Sequence, residues 1–134
     1  MKAVLDTNIF ISGIFWSGLS EKILYALGDK KFELITSGDI IEEIIETLMD
    51  FRIHLSVDII LLWASILSIN SVIVEPSEKL EIVTDDRDDN KFIEAAVTGK
   101  ASYIVTQDNH LLKLKEFRGI KILTPKEFLD IVNL

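Results

Sequence analysis

The 134-residue chain predicts an α/β fold, a three-layer sandwich of helices around a central parallel sheet, and three features carry that expectation. Short apolar segments without a polar face alternate with helical periods, so the strands read as buried on both sides. Asp6, Asp89 and Asp108 stand at strand ends or helix starts, where such a sheet opens its ligand crevice. Hydrophobic residues make up 49% of the chain, enough for a substantial core, and the length suits one domain over residues 1–134.

Lys2 to Leu5 reads as a buried strand closed by Asp6, and Ile9, Phe10 and Ile14 continue with helical spacing. A second helix follows over about Ser20 to Leu27. Phe32 to Thr36 is the second strand, Ser37 a helix N-cap, and Ile40, Ile41, Ile44, Ile45 and Leu48 one face of the next helix. Val57 to Ile69 is helical and very apolar. Val72 to Val74 is a strand stopped before Pro76. A helix from about Asp89 to Thr98 ends near Gly99. Tyr103 to Val105 and Ile120 to Leu123 complete the strands, and Pro125 opens a last helix.

With 22 Asp and Glu against 14 Lys and Arg, the formal charge of −8 argues against a binder that holds nucleic acid by bulk charge alone. The charge is uneven. Seven acids crowd Glu75 to Asp89 against Lys79 and Arg87, whereas six bases stand between Gly99 and Lys126 against Asp108 and Glu116. Cysteine is absent, which excludes a disulfide scaffold and a thiolate metal site and fits a reducing compartment, the cytoplasm. The apolar run Ile59 to Ile69 is far short of the roughly 20 residues of a spanning helix. Asp6 interrupts the N-terminal apolar segment too early for a secretory signal.

Each candidate carboxylate has a second explanation. Asp6-Thr7-Asn8 and Thr106-Gln107-Asp108 follow strands and precede helices, so both acids are natural helix caps. Asp85-Asp86-Arg87-Asp88-Asp89-Asn90 reads equally as a solvated loop at a helix start. At about 100° per residue, Asp89 shares the stripe of Phe92, Ile93 and Ala96, while Lys91 and Glu94 point away. Ala95 and Ala96 let that helix approach the sheet closely. Glu42 and Glu43 flank the apolar face of their helix on opposite sides, and periodicity leaves both eligible.

Carboxylates gathered at one sheet edge repel one another unless protons or cations intervene. An all-oxygen set suits Mg²⁺ or Mn²⁺, and a carboxylate-bound metal suits phosphoryl chemistry. His54 and His110 lack ligand-like spacing; His54 reads as a surface or interhelix residue and His110 at most as a neighbour of Asp108.

Along nearly its whole length the chain resembles the PIN-domain family. The likeness rests on Val4-Leu5-Asp6-Thr7-Asn8-Ile9-Phe10, on Thr36-Ser37 followed by Glu43 and Thr47-Leu48, on Asp88-Asp89-Asn90-Lys91-Phe92 running into Ala95-Ala96, and on Tyr103 to Asp108. Within that superfamily it is most similar to toxin components of prokaryotic toxin–antitoxin systems, the VapC-like ribonucleases. The resemblance implies a metal-dependent endoribonuclease acting on single-stranded RNA, a homodimer or higher oligomer, and an antitoxin partner. It implies Asp6, Glu43, Asp89 and Asp108 as catalytic and metal-binding residues, choosing Glu43 over Glu42, with Thr7, Asn8, Thr106 and Asn90 as polar support. Asp88 adjoins this set. Lys100, Lys113, Lys115, Arg118 and Lys121, in the basic C-terminal stretch, are then candidates to meet RNA phosphates.

Two other function classes fit less well. Phosphotransfer through an aspartyl-phosphate on Asp6 would want a second Asp where Asn8 stands, or an acidic pair near the first strand and an Asp after the third, where Glu75-Pro76 stands. A non-catalytic interaction module would use the same acids as caps and the apolar Ile59 to Leu67 region for assembly.

Overall fold

A computed structural model describes residues 1–50, 53–84 and 86–133; Asp85, one of the four carboxylates of its segment, lies outside the described residues. The elements in chain order are β1 (Lys2–Leu5), α1 (Thr7–Phe15), α2 (Leu19–Gly28), β2 (Glu33–Ser37), α3 (Gly38–Leu48), α4 (Val57–Ile69) and β3 (Ser71–Val74). A single 3-10 turn, Arg87–Asp89, leads into α5 (Asn90–Thr98). There follow β4 (Tyr103–Val105), α6 (Asn109–Leu112), β5 (Glu116–Phe117), β6 (Ile120–Leu123) and α7 (Pro125–Val132).

The sheet runs β3-β2-β1-β4-β6-β5. All pairings are parallel except the antiparallel β5–β6 ribbon. The sheet is therefore mixed at one edge rather than wholly parallel. Two-residue β5 and four-residue α6 are too short to leave a periodic signal. Consecutive residues of a strand face opposite sides, so burial of Ala3, Val4 and Leu5 in succession requires helices on both faces of β1. Leu34 and Ile35 in β2 and Ile104 and Val105 in β4 repeat that pattern.

β3 departs from it. As an edge strand it leaves Val72 and Ile73 about half exposed, a correction to its reading as a strand covered on both faces. β2 also begins one residue later than expected, because Phe32 turns inward onto Phe128, ring centroids 5.0 Å apart and nearly perpendicular. Ser37 closes β2 and caps α3, its hydroxyl accepting from the Ile40 amide at 3.3 Å. Ile40, Ile44 and Leu48 are the buried face of α3.

α5 packs against β1, β2 and β4. Its Ala95 and Ala96 are buried, and Gly99 at its end has no room for a side chain: a Cβ there would lie 2.4 Å from Ile35 Cγ2. That contact, and not a left-handed backbone, explains the glycine; Lys100 takes the positive φ of 56°. Thr124 and Glu127 form a reciprocal capping box at the start of α7. No described helix is long and apolar enough to cross a membrane.

Candidate metal centre

The strand order reverses between β1 and β4, whose successors run outward in opposite directions, so a crevice opens beyond their carboxyl ends. Asp6 leaves β1 and Thr106 leaves β4 on the two sides of that crevice. The Asp6 amide donates to Val105 O at 3.0 Å, tying the two exits together. Thr106 Oγ1 donates to Asp6 Oδ2 at 2.6 Å and accepts from the Asp108 amide at 2.9 Å, so one buried hydroxyl orients both acids.

Capping and clustering turn out to be compatible. Asp6 caps α1 by accepting from the Asn8 amide at 3.2 Å, and Asp108 caps α6 by accepting from the His110 amide at 2.8 Å. A carboxylate has two oxygens, and each cap uses one. Asp89 differs: it precedes α5 without any side-chain cap bond, and it is 7% exposed. Among the described residues, the buried side-chain atoms lacking a hydrogen-bond partner are Thr7 Oγ1, Thr36 Oγ1, Asp89 Oδ2 and Glu43 Oε2, the last meeting the ammonium of Lys91 instead. Thr7 follows β1, Thr36 lies near the carboxyl end of β2, Glu43 is on α3 and Asp89 stands at the start of α5, around one end of the sheet.

Burial raises the Asp89 carboxyl to a pKa of about 8, helped by a hydrogen bond with Asp108 and by the charges of Asp108, Asp86 and Asp6. Asp6 is also pushed up, mainly by burial, with the charges of Asp108 and Glu43 adding; the bonds from Thr106 and Asn8 oppose the rise. Asp6, Asp89 and Asp108 thus feel one another, and Glu43 feels Asp6. A divalent cation fits: the donors are predominantly carboxylate, the buried Asp89 Oδ2 has no hydrogen-bond partner, and Asp6 and Asp89 hold protons above the ordinary carboxylate range.

Glu43 is half-buried and Glu42 exposed, so α3 turns the former toward α5, where Lys91 pairs with it. Lys91 and Glu94 do not simply point away, as phase suggests. Both are half-buried, and Glu94 accepts from the Leu80 amide at 2.7 Å. Thr7 is buried, whereas the Asn8 side chain is exposed and only its amide serves Asp6. Asn90 is buried and makes four hydrogen bonds. Its Oδ1 accepts from the Ile82 and Val83 amides at 3.0 and 2.8 Å, and its Nδ2 donates to the Val83 and Arg87 carbonyls at 3.0 and 3.1 Å. Its support is therefore given to the loop, not to a carboxylate.

Three of the five basic candidates are elsewhere. Lys100 precedes β4, Arg118 precedes β6, and Lys121 pairs in register with Tyr103 at the start of β4, so all three lie toward the opposite ends of the strands. Arg118 is paired with Glu78 at 2.7 Å and stacks over Phe117. Lys113 and Lys115 follow α6 and are exposed. Beside the acids, between α3 and α5, runs a groove of about 540 Å³ carrying Asp39, Glu42, Glu46, Glu81 and Asp88 with the cations Lys79, Arg87 and Lys91.

A family model described as PIN domain matches residues 2–110. The chain belongs to the PIN-domain family. An uncharacterised protein of Methanocaldococcus jannaschii is 32% identical over 142 aligned residues, spanning 97% of this chain and 90% of that one. A chain in the crystal structure of VapBC2 from Rickettsia felis, bound to a DNA fragment from their promoter, shares the fold at a TM-score of 0.62. That match covers 92% of this chain and 98% of the other at 16% identity, and so relates this PIN domain to VapBC-type toxins in fold alone.

Two residues of this PIN domain escape sequence reasoning. Asp86, Asp89 and His110 offer ligand atoms all within 4.8 Å of one another, a cluster able to coordinate a divalent metal. His110 does neighbour Asp108, with Nδ1 3.6 Å from Asp108 Oδ1, but it also reaches Asp86 and Asp89. Linear spacing hides this, because His110, in α6, stands 24 positions after Asp86, which precedes the Arg87–Asp89 turn. The accessible signal was the cap itself: a side chain accepting two residues ahead holds residue 110 beside the carboxylate.

Proposed function

We propose that this PIN domain is a Mg²⁺- or Mn²⁺-dependent endoribonuclease that hydrolyses phosphodiester bonds of single-stranded RNA, as the toxin of a toxin–antitoxin pair. The observation that carries it is the convergence of Asp6, Asp89 and Asp108, with the pKa raised at Asp6 and Asp89, on the crevice between β1 and β4. Glu43 completes the set from α3, and Asp6, Glu43, Asp89 and Asp108 would hold the cation. When bound, a divalent cation supplies charge neutralisation, polarisation of the phosphoryl group and activation of water for in-line attack.

The chain's own residues do the positioning. Thr106 fixes the carboxylate of Asp6 and the main chain at Asp108, so two ligands keep their directions before substrate arrives. Lys91 neutralises Glu43 on the groove side. The remaining acids make the groove hostile to a polyanion until cations enter, so RNA binding is metal-dependent. Cleavage leaves 5′-phosphate and 3′-hydroxyl ends.

The antitoxin and a homodimer belong to the same reading, and the enzyme acts in the cytoplasm. The likeness to VapBC2 supports a protein partner, as do the exposed apolar residues of α4. Incubating end-labelled single-stranded RNA with the purified protein tests the chemistry. We expect cleavage with Mn²⁺ or Mg²⁺, none with chelator, and none from Asp6→Asn or Asp89→Asn variants that still melt cooperatively. Undiminished cleavage by those variants would sink the proposal.

A further inference from the structure

We infer that His110 and Asp86 are themselves ligands of the cation, so that the site is a mixed nitrogen–oxygen set that favours Mn²⁺ over Mg²⁺. The inference rests on reading this end of the sheet as a divalent-cation site. Its geometric basis is the trio Asp86, Asp89 and His110, whose ligand atoms lie within 4.8 Å of one another. A second observation points to a missing ligand there: Asp89 is buried, and its Oδ2 has no hydrogen-bond partner.

Both outer members are held in position. The loop bearing Asp86 is pinned at either end by one buried side chain, since Asn90 binds the backbone of Ile82 and Val83 before it and of Arg87 after it. Asp86 itself accepts from the Asp88 amide at 3.1 Å, which leaves its second oxygen for another contact. His110 is held by its amide bond to Asp108 Oδ1 at 2.8 Å, while its Nδ1 stays 3.6 Å from the same oxygen, beyond hydrogen-bond length. An imidazole so placed matters for selectivity. Mg²⁺ prefers oxygen ligands in a near-ideal octahedron and keeps its water, whereas imidazole nitrogen suits the first-row transition metals.

Pulsed electron paramagnetic resonance on the Mn²⁺-loaded protein tests this without reference to cleavage. The expected result is ¹⁴N modulation from a coordinated imidazole, present in the wild type and in His54→Gln and lost in His110→Asn. Calorimetric titration should give an Mn²⁺ affinity weakened about tenfold or more by His110→Asn, with Mg²⁺ affinity changed less than about twofold. Asp86→Asn should weaken both metals about tenfold. Both residues are exposed, so the variants keep their fold, which a thermal melt verifies. Bound Mn²⁺ without nitrogen modulation in the wild type overturns the inference and leaves the cation site standing; no Mn²⁺ binding at all overturns both.

Discussion

The carboxyl ends of β1 and β4 and the outer flank of α4 fail self-sufficiency in opposite ways. At the first, Asp6 and Asp89 are carboxyl groups withdrawn from water, whose ionisation costs free energy unless a cation compensates it. At the second, Leu61 and Leu62 are apolar groups left in water, 60% and 56% exposed, next to an apolar groove of about 350 Å³ between α2 and α4 that includes Leu24, Trp63 and Ile66. An ion relieves the first and does nothing for the second. A macromolecular surface relieves the second and cannot by itself replace the ion. The two regions are therefore separable by substitution.

Asp6→Asn or Asp89→Asn should have the largest effect, lowering RNA cleavage on the order of 10³-fold or more. At pH 8 the metal-free Asp89→Asn protein should melt no lower than the wild type, because a buried charge has been removed. Thr106→Val comes next. Without its hydroxyl, Asp6 and the main chain at Asp108 lose a shared anchor, and calorimetry should read an Mn²⁺ affinity about 10–100-fold weaker. Paired Leu61→Glu and Leu62→Glu should leave cleavage unchanged and shift stability by no more than about 0.5 kcal/mol. The same pair should weaken self-association or partner binding by about 2 kcal/mol, roughly thirtyfold, in sedimentation or pull-down titrations. Loss of cleavage in that pair would dissolve the distinction between the two regions. Smallest of all, Lys100→Ala with Lys121→Ala should alter cleavage less than about twofold, since both lie toward the far ends of the strands.

Local rules foretold much of this fold. β1 and α4 have the expected bounds because Asp6 and Ser56 are strong punctuation around uniform apolar runs. The edges β3 and β5 were harder to read: whether a Val-Ile pair is covered depends on which strand lies beside it, and composition does not contain that neighbour. Asp6, Asp89 and Asp108 were visible because strand exits in a doubly wound sheet share one edge. Asp86 and His110 were not, since each joins the site through a contact made by another residue: Asn90 for the loop and Asp108 for the ring.

A cation at the carboxylate end should change the pH dependence of stability in a defined direction. Unfolded Asp ionises near pH 4, whereas folding raises Asp6 and takes Asp89 to about 8. Between those limits the native state binds more protons than the unfolded state, so stability falls as pH rises. Melting the metal-free protein from pH 5 to 8 should therefore show Tm dropping, on the order of 10 °C for a penalty of a few kcal/mol. Saturating Mn²⁺ should remove most of the drop. Parallel curves with and without Mn²⁺ would contradict the assignment of this end of the sheet to a metal.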